Sequence, residues 1–326
     1  MATDDSILIQ NTPTIPGLRF RHFHGEDDIQ GIVEVLSACA EEDQTERAYS
    51  VAEMTINIQN LVNGNPKEDL LITEVDNVVI GYSRCTWYVE NSGAYLYMFL
   101  GNIHPTWRRK GIGTVVLSWL EGRLRKISEN HPQGSSKYFQ AFARGEPSVI
   151  ALLEKNGYLP VRYYHEMVCP SLKDIRDFPL PQGLEVRPVQ PVHYHKVWDA
   201  GNEAFRDNWG FGSPLEKDYE AWLNDRTHFQ PHLWQVAWDI EKDQIAGQVC
   251  TFIDVVQNEK YQRKRGYTED ISVQRTWRKR GLARALISLS LHAQKEEGMT
   301  ESALIVDTQN MSGAMRVYED CGFQVV

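Results

Sequence analysis

Apolar positions in the second half of the chain change period several times, and each change marks an element. Leu184-Glu185-Val186-Arg187 alternates as a short strand does, and His193 to Phe205 follows with helical spacing. Leu233 to Asp239 and Gln244 to Val255 read as a hairpin turned at Glu241-Lys242-Asp243, with Tyr267 to Val273 as the next strand. From Leu282 to Glu297 the period is again helical, placing Leu282, Leu286, Leu289 and His292/Ala293 on one face before a stop at Gly298. Ser302 to Val306 is strand-like and Ser312 to Cys321 helical. Strands, then a loop, helix, strand and helix, predict a domain of mixed α/β (α+β) sheet.

The first half repeats these landmarks in the same order and at a nearly constant offset, as a duplicated domain does. Leu18-Arg19-Phe20-Arg21 answers to Leu184-Glu185-Val186-Arg187, and Ile80-Gly81 to Ala246-Gly247. Arg108-Arg109-Lys110-Gly111-Ile112-Gly113 answers to Arg278-Lys279-Arg280-Gly281-Leu282-Ala283, and Leu153-Glu154-Lys155-Asn156-Gly157-Tyr158 to Tyr318-Glu319-Asp320-Cys321-Gly322-Phe323. A chain of 326 residues suits two domains of about 150 residues each. Pro170 to Gly183, with three prolines among charges, reads as a linker, giving domains over 15–170 and 183–326.

Composition narrows the class. With 42% hydrophobic and 24% charged residues and no long apolar run, the chain reads as soluble, and Met1 to Gln10 lacks the basic-then-apolar order of a signal peptide. The five cysteines, Cys39, Cys85, Cys169, Cys250 and Cys321, are odd in number and far apart, so a reduced cytoplasmic setting is expected and no structural metal. A net charge of -10 weighs against nucleic-acid binding and favours cationic small-molecule partners.

The chemistry begins at the two basic glycine loops. A strand that runs through Arg-x-x-Gly-x-Gly/Ala into a helix turns several backbone N–H groups toward one point at a positive helix end, which is how proteins hold a pyrophosphate. Two copies at equivalent places of a repeat make a merely solvated basic turn a poor account of them. The pattern resembles the coenzyme A loop of the GNAT acetyltransferase superfamily. In the second half the resemblance extends to Thr268-Glu269-Asp270-Ile271-Ser272-Val273 before the loop and to Val306-Asp307-Thr308-Gln309-Asn310, Ala314, Tyr318, Gly322 and Phe323 after it. The double layout and the run Gly298 to Phe323 are similar to mycothiol synthase and its relatives.

The resemblance implies two tandem GNAT domains and transfer of an acetyl group from acetyl-CoA to a primary amine of a small molecule, by direct attack in a ternary complex. It implies that Arg278, Lys279, Arg280, Gly281, Leu282, Ala283 and Arg284 hold the diphosphate, with Arg108, Arg109, Lys110, Gly111, Gly113 and Thr114 their counterparts. Ile271 and Val273 would bind the pantetheine arm through main-chain groups, and Asn310 would either bond that arm or cap the following helix. Glu269 is the expected base, with Asp270 second: alternation would set Glu269, Ile271 and Val273 on one face and Asp270 on the other. Tyr318 is the expected acid for the departing thiolate, since its phenol can donate a proton. An acyl-cysteine at Cys250 or Cys321 is set aside, because neither has a flanking His.

Several segments stay open. Aromatic Phe205, Trp209, Phe211, Tyr219 and Trp222 read either as an acceptor wall, with Asp207 or Glu216 for a cationic amine, or as packing between domains. Arg263-Lys264-Arg265 reads as a solvated hairpin tip, or as a contact to a coenzyme phosphate or an acidic acceptor. In the first half, Phe99, Leu153 and Gly145 stand at the positions of Glu269, Tyr318 and Asn310, so that domain is expected to be non-catalytic, either binding coenzyme without turnover or serving as a scaffold. Val161 to Val168 reads as its last strand, whereas after Gly322-Phe323 the second half has only Gln324, Val325 and Val326, so its sheet is expected to lack that strand or to have the edge covered by another segment. Acetylation of a protein or peptide amine, and a non-catalytic coenzyme A sensor, are the competing functions.

Overall fold

A computed structural model describes residues 6–310 and 313–326. Met1 to Asp5, and Ser312 with which the last predicted helix begins, lie outside the described residues. The chain divides into two compact units between Leu159 and Pro160.

The first unit runs β1 (Leu18–His22), α1 (Glu26–Glu42), α2 (Val51–Gln59), α3 (Pro66–Asp69), β2 (Leu70–Val75), β3 (Val78–Val89), β4 (Tyr95–Ile103), α4 (Ile112–Ser128), β5 (Lys137–Ala141) and α5 (Pro147–Lys155). Its sheet has the order β1-β2-β3-β4-β5, antiparallel except for the parallel β4/β5 pair. One face packs on α4 through Val115, Val116, Leu120 and Leu124; the other packs on α1 and α2 through Ile29, Ile32, Leu36, Met54 and Ile58. These side chains are nearly all fully buried, each contributing about 1.5–3 kcal/mol by transfer from water.

The second unit runs β6 (Tyr164–Cys169), β7 (Leu184–Val186), α6 (Tyr194–Phe205), α7 (Glu216–Asn224), β8 (Gln235–Asp239), β9 (Gln244–Phe252), α8 (Val255–Lys260), β10 (Arg265–Val273), α9 (Leu282–Glu296), β11 (Glu301–Asp307), α10 (Ala314–Asp320) and β12 (Gln324–Val325). The sheet order is β12-β6-β11-β10-β9-β8-β7, with β10 and β11 parallel. The strand expected at Val161 to Val168 therefore exists but serves the second sheet, where β6 lies between β11 and β12 and covers the edge of β11. Alternation cannot say which sheet a strand joins; this one follows the sequence order of the first repeat and pairs in the second.

Residues 170–183 form neither helix nor strand, as the prolines require, yet they are packed. Leu172, 2% exposed, lies in the core with Leu286 and Leu304, while Ser288 of α9 donates to the Arg176 carbonyl and His292 meets Asp177. The expected hairpin tip at Arg263-Lys264-Arg265 is also different. A helix, α8, opens on the Asp254 cap, and Arg265 starts β10 buried between Glu301 and Glu166.

Candidate active site

Both basic loops adopt the same backbone. Arg109 and Gly111 in the first, Lys279 and Gly281 in the second, have positive φ, and α4 and α9 begin directly after the glycines with no side chain capping their first turns. A left-handed glycine before an uncapped helix leaves backbone N–H groups converging on open space; a Cβ built on Gly281 meets no atom within 4 Å. This is an anion cradle, and it fits a diphosphate.

The first arginine of each loop does not face that cradle. Arg278 donates to the carbonyls of Val273 and Ala204 and pairs with Asp207, and Arg108 donates to the Ile103 carbonyl and binds Asp43 bidentately. Their guanidinium groups tie the loop to the end of α6 or α1, which leaves the loop's backbone N–H groups, rather than these two side chains, toward the cradle. Asp207, held below the usual carboxylate range by Arg275 and Arg278, is likewise committed and not available to an amine. Arg284 pairs with Asp320, while Lys279 and Arg280 remain exposed at the cradle, Arg280 over the Trp277 ring.

Beyond the loop, β10 and β11 diverge. Their parallel ladder covers only Arg265 to Tyr267 against Glu301 to Ala303, although both strands continue, and past Thr268, whose hydroxyl still meets Ser302 of β11, they part to leave a slot along Glu269 to Val273. On its other side β10 keeps its ladder with β9 but gains a residue: Glu269 opposes Cys250 and Ser272 opposes Gln248, with Asp270 at positive φ. The bulge overturns the predicted alternation. Thr268 bonds Ser290 and Gln294 of α9, and Ile271 and Val273, at odd spacing from it, pack on the same α9 side. Glu269 is thus parted from Ile271 and Val273. Periodicity alone gives no sign of an inserted residue.

Tyr318 of α10 is 9% exposed, and burial together with the Glu269 charge pushes its phenol up to about 12. Glu269 and Tyr318 are therefore within electrostatic reach of one another. Asp270 is open to solvent yet surrounded by the mass of the unit, which pushes its carboxyl up against the pull of His228. His228, fixed by Asp225 at 2.8 Å, is a neighbour that sequence reasoning missed. Asn310 lies in the turn after β11, its N–H donating to Asp307; the cap of α10 is Gly313, so the capping role foreseen for Asn310 is not observed.

The aromatic segment packs inside its own unit. Trp222 stacks on Trp234 and meets Phe229, Trp198 and Tyr219, while Trp209 lies under Arg162. Cys250 and Cys321 are buried and their thiols pushed up, Cys321 to about 12, which fits packing rather than nucleophilic chemistry.

In the first unit, Leu100 opposes Arg84 as Glu269 opposes Cys250, so the bulge moves the counterpart of Glu269 one residue on from the expected Phe99; Phe99 is buried against the Tyr158 ring and Leu153 packs on the α4 core, and none of the three carries a titrating group. Strand β4 pairs with β3 without a bulge. This unit nevertheless holds a cavity of about 930 Å³, lined by the loop from Arg108 to Thr114, by β4 and by the end of β5. Among the described residues, no group of three or more His, Cys, Asp or Glu side chains is placed to hold a metal, and no helix is long and apolar enough to cross a membrane.

Splayed parallel strands leading to a glycine cradle at a helix start define a fold that takes an acyl thioester of coenzyme A. The profile of the acetyltransferase (GNAT) family matches residues 29–158 and 194–323, and the chain belongs to that family, whose enzymes carry out acyl-CoA-dependent N-acetyl transfer. It is 26% identical over 262 residues to a mycothiol acetyltransferase of Salinispora arenicola, covering 79% of this chain and 78% of that one. Similar folds are a GCN5-related N-acetyltransferase from Sphaerobacter thermophilus (TM-score 0.71, 23% identity, 96% of this chain and 94% of that one) and a tandem GNAT protein from the clavulanic acid biosynthesis pathway (TM-score 0.64, 15% identity, 94% and 95%). Strand β6 falls in neither matched segment.

Proposed function

We propose that the second unit transfers the acetyl group of acetyl-CoA to a primary amine of a small molecule, and that the first unit binds coenzyme without turnover. The observation that carries this is the parting of β10 from β11 beside the open cradle at Gly281, with Glu269 on the bulged stretch and Tyr318 within electrostatic reach of it. The similarity to mycothiol acetyltransferases favours a small-molecule acceptor.

In this reading the backbone N–H groups of residues 279 to 284 hold the diphosphate, and Ile271 and Val273 hold the pantetheine arm through their main chains. Glu269 takes a proton from the amine, directly or through water, leaving a neutral nucleophile that attacks the thioester carbonyl. The Val273 N–H polarises that carbonyl. As the new C–N bond forms and the C–S bond breaks, Tyr318 gives its proton to the departing sulfur. A phenol near 12 reaches this step still protonated.

Thiol release from acetyl-CoA, measured against a panel of small amines and a peptide amine, tests the proposal. Turnover with a small amine, abolished by Gly281→Asp and spared by Gly111→Asp, is the expected result. Turnover with the peptide alone would move the assignment to a protein acetyltransferase, and equal loss in both folded variants would refute the division of labour.

A further inference from the structure

The 930 Å³ cavity of the first unit extends past the coenzyme cradle to Arg84 on β3. Arg84 pairs with Leu70 and Leu100 in the ladders on either side, so it sits in mid-sheet with β4 between it and β5. Two residues back on the same face, Tyr82 packs in the core formed with α1 and α2. Arg84 therefore points to the α1/α2 side, away from the face packed on α4.

A half-buried guanidinium in such a place needs a counter-charge. Arg21, Arg108 and Arg123 of this unit each have one, in Asp28 and Glu74, Asp43, and Glu68 and Asp69 respectively. Among the described residues no carboxylate pairs with Arg84. Its close neighbour is the phenol of Tyr82, 2% exposed: the guanidinium lies near enough to favour the ionised phenol, yet no hydrogen bond of sound geometry satisfies the Tyr82 oxygen. The fold does not demand a charge here. Counting three residues on from Gly81 gives Arg84, and three on from its counterpart Gly247 gives Cys250, a buried thiol in the apolar cluster of Trp234 and Trp238.

The rest of the lining agrees. Arg47, Arg84, Arg108, Arg109, Arg144 and Lys155 face the cavity against only Asp43 and Glu146, in a chain whose net charge is -10. Arg109 stands at the glycine cradle, whereas Arg84 lies across β4 from β5, with Thr86, Met98 and Tyr49 also in the wall.

We propose that the α1/α2 side of this cavity binds a small organic oxyanion, a carboxylate or a phosphate monoester, with Arg84 as its charge anchor. The site is distinct from the coenzyme cradle and does not depend on which unit catalyses transfer. An oxyanion would supply the missing counter-charge and leave an acceptor for the Tyr82 hydroxyl.

Calorimetric titration of the full chain, first saturated with coenzyme A, with citrate, glycerol phosphate and inorganic phosphate tests this. At least one probe should bind, with citrate or glycerol phosphate marking the carboxylate or the phosphate-ester class. Arg84→Met should weaken it about tenfold or more, Arg84→Lys less, and coenzyme affinity should not change. Without probe, the Tm of Arg84→Met should be equal to or above that of the parent chain, since an unpaired charge has been removed. The proposal is overturned if no probe binds, if only inorganic phosphate binds and Arg84→Met leaves it unaffected, if coenzyme binding falls in parallel, or if Arg84→Met unfolds or lowers Tm, which would make Arg84 structural.

Discussion

At the scale of single residues, the site turns on whether Tyr318 works as an acid or only fills the core. Its position before Gly322-Phe323 was legible from the repeat, but its environment was not: burial beside Glu269 is a tertiary fact. With the phenol near 12, Tyr318 stays protonated across the working range, so kcat should show no alkaline fall between about pH 7 and pH 10. Tyr318→Phe should lower kcat by ~10²–10⁴ with little change in the KM for acetyl-CoA, because proton donation matters in the transition state. A fall of less than about threefold would leave Tyr318 a packing residue. Glu269→Gln should show its largest loss near neutral pH and recover as pH rises, because more of the amine is then already neutral; rates across that range distinguish a base from a structural carboxylate, whose loss would not vary. The arginines teach the opposite lesson. The motif places Arg108 and Arg278 in the loop, yet their partners Asp43 and Asp207 stand 65 and 71 residues away, beyond any local pattern.

At the scale of elements, strands and helices could be read from period and punctuation, whereas the bulge in β10 could not. Its one local trace is Gly247. A Cβ there would lie 2.8 Å from the Ser272 carbonyl oxygen and 3.1 Å from Leu282, so glycine is what lets β9 run beneath the displaced β10 backbone. Gly81, its counterpart below the unbulged β4, would instead meet the tip of the Ile103 side chain at 2.6 Å, a group that can turn aside, and the Thr73 Cβ at 3.0 Å, but no backbone atom as close as the Ser272 carbonyl. Gly247→Ala should therefore cost about 1–3 kcal/mol and lower kcat as the bulge shifts, while Gly81→Ala costs less and spares kcat. Thermal denaturation and steady-state rates on the two variants check both halves of this expectation. Equal effects would mean that the bulge has no special part in placing Glu269. Helix α8 was missed for a related reason: six residues opening on Asp254 are too few to impose a period on the sequence.

At the scale of the molecule, the duplication was legible, but the assignment of β6 to the second sheet was not, since strand pairing at long range leaves no mark on alternation. Its consequence concerns where the second unit begins. A fragment starting at Gly183, the boundary that the prolines advise, omits Met167, Cys169 and Leu172, all buried in the same core as Leu286, Leu304 and Phe323. It also strips β11 and β12 of the strand between them, breaking the ladder from Ser302↔Cys169 to Asp307↔Tyr164. At roughly 1.5–3 kcal/mol for each large side chain lost, this approaches the whole stability of an ordinary domain, about 5–15 kcal/mol. A fragment from Pro160 keeps all of it. We therefore expect 160–326 to give a cooperative thermal transition and 183–326 to be unfolded or aggregated, as read by circular dichroism and calorimetry on the two side by side. Cooperative folding of the shorter fragment would show that β6 is an accessory to the second sheet rather than part of its core.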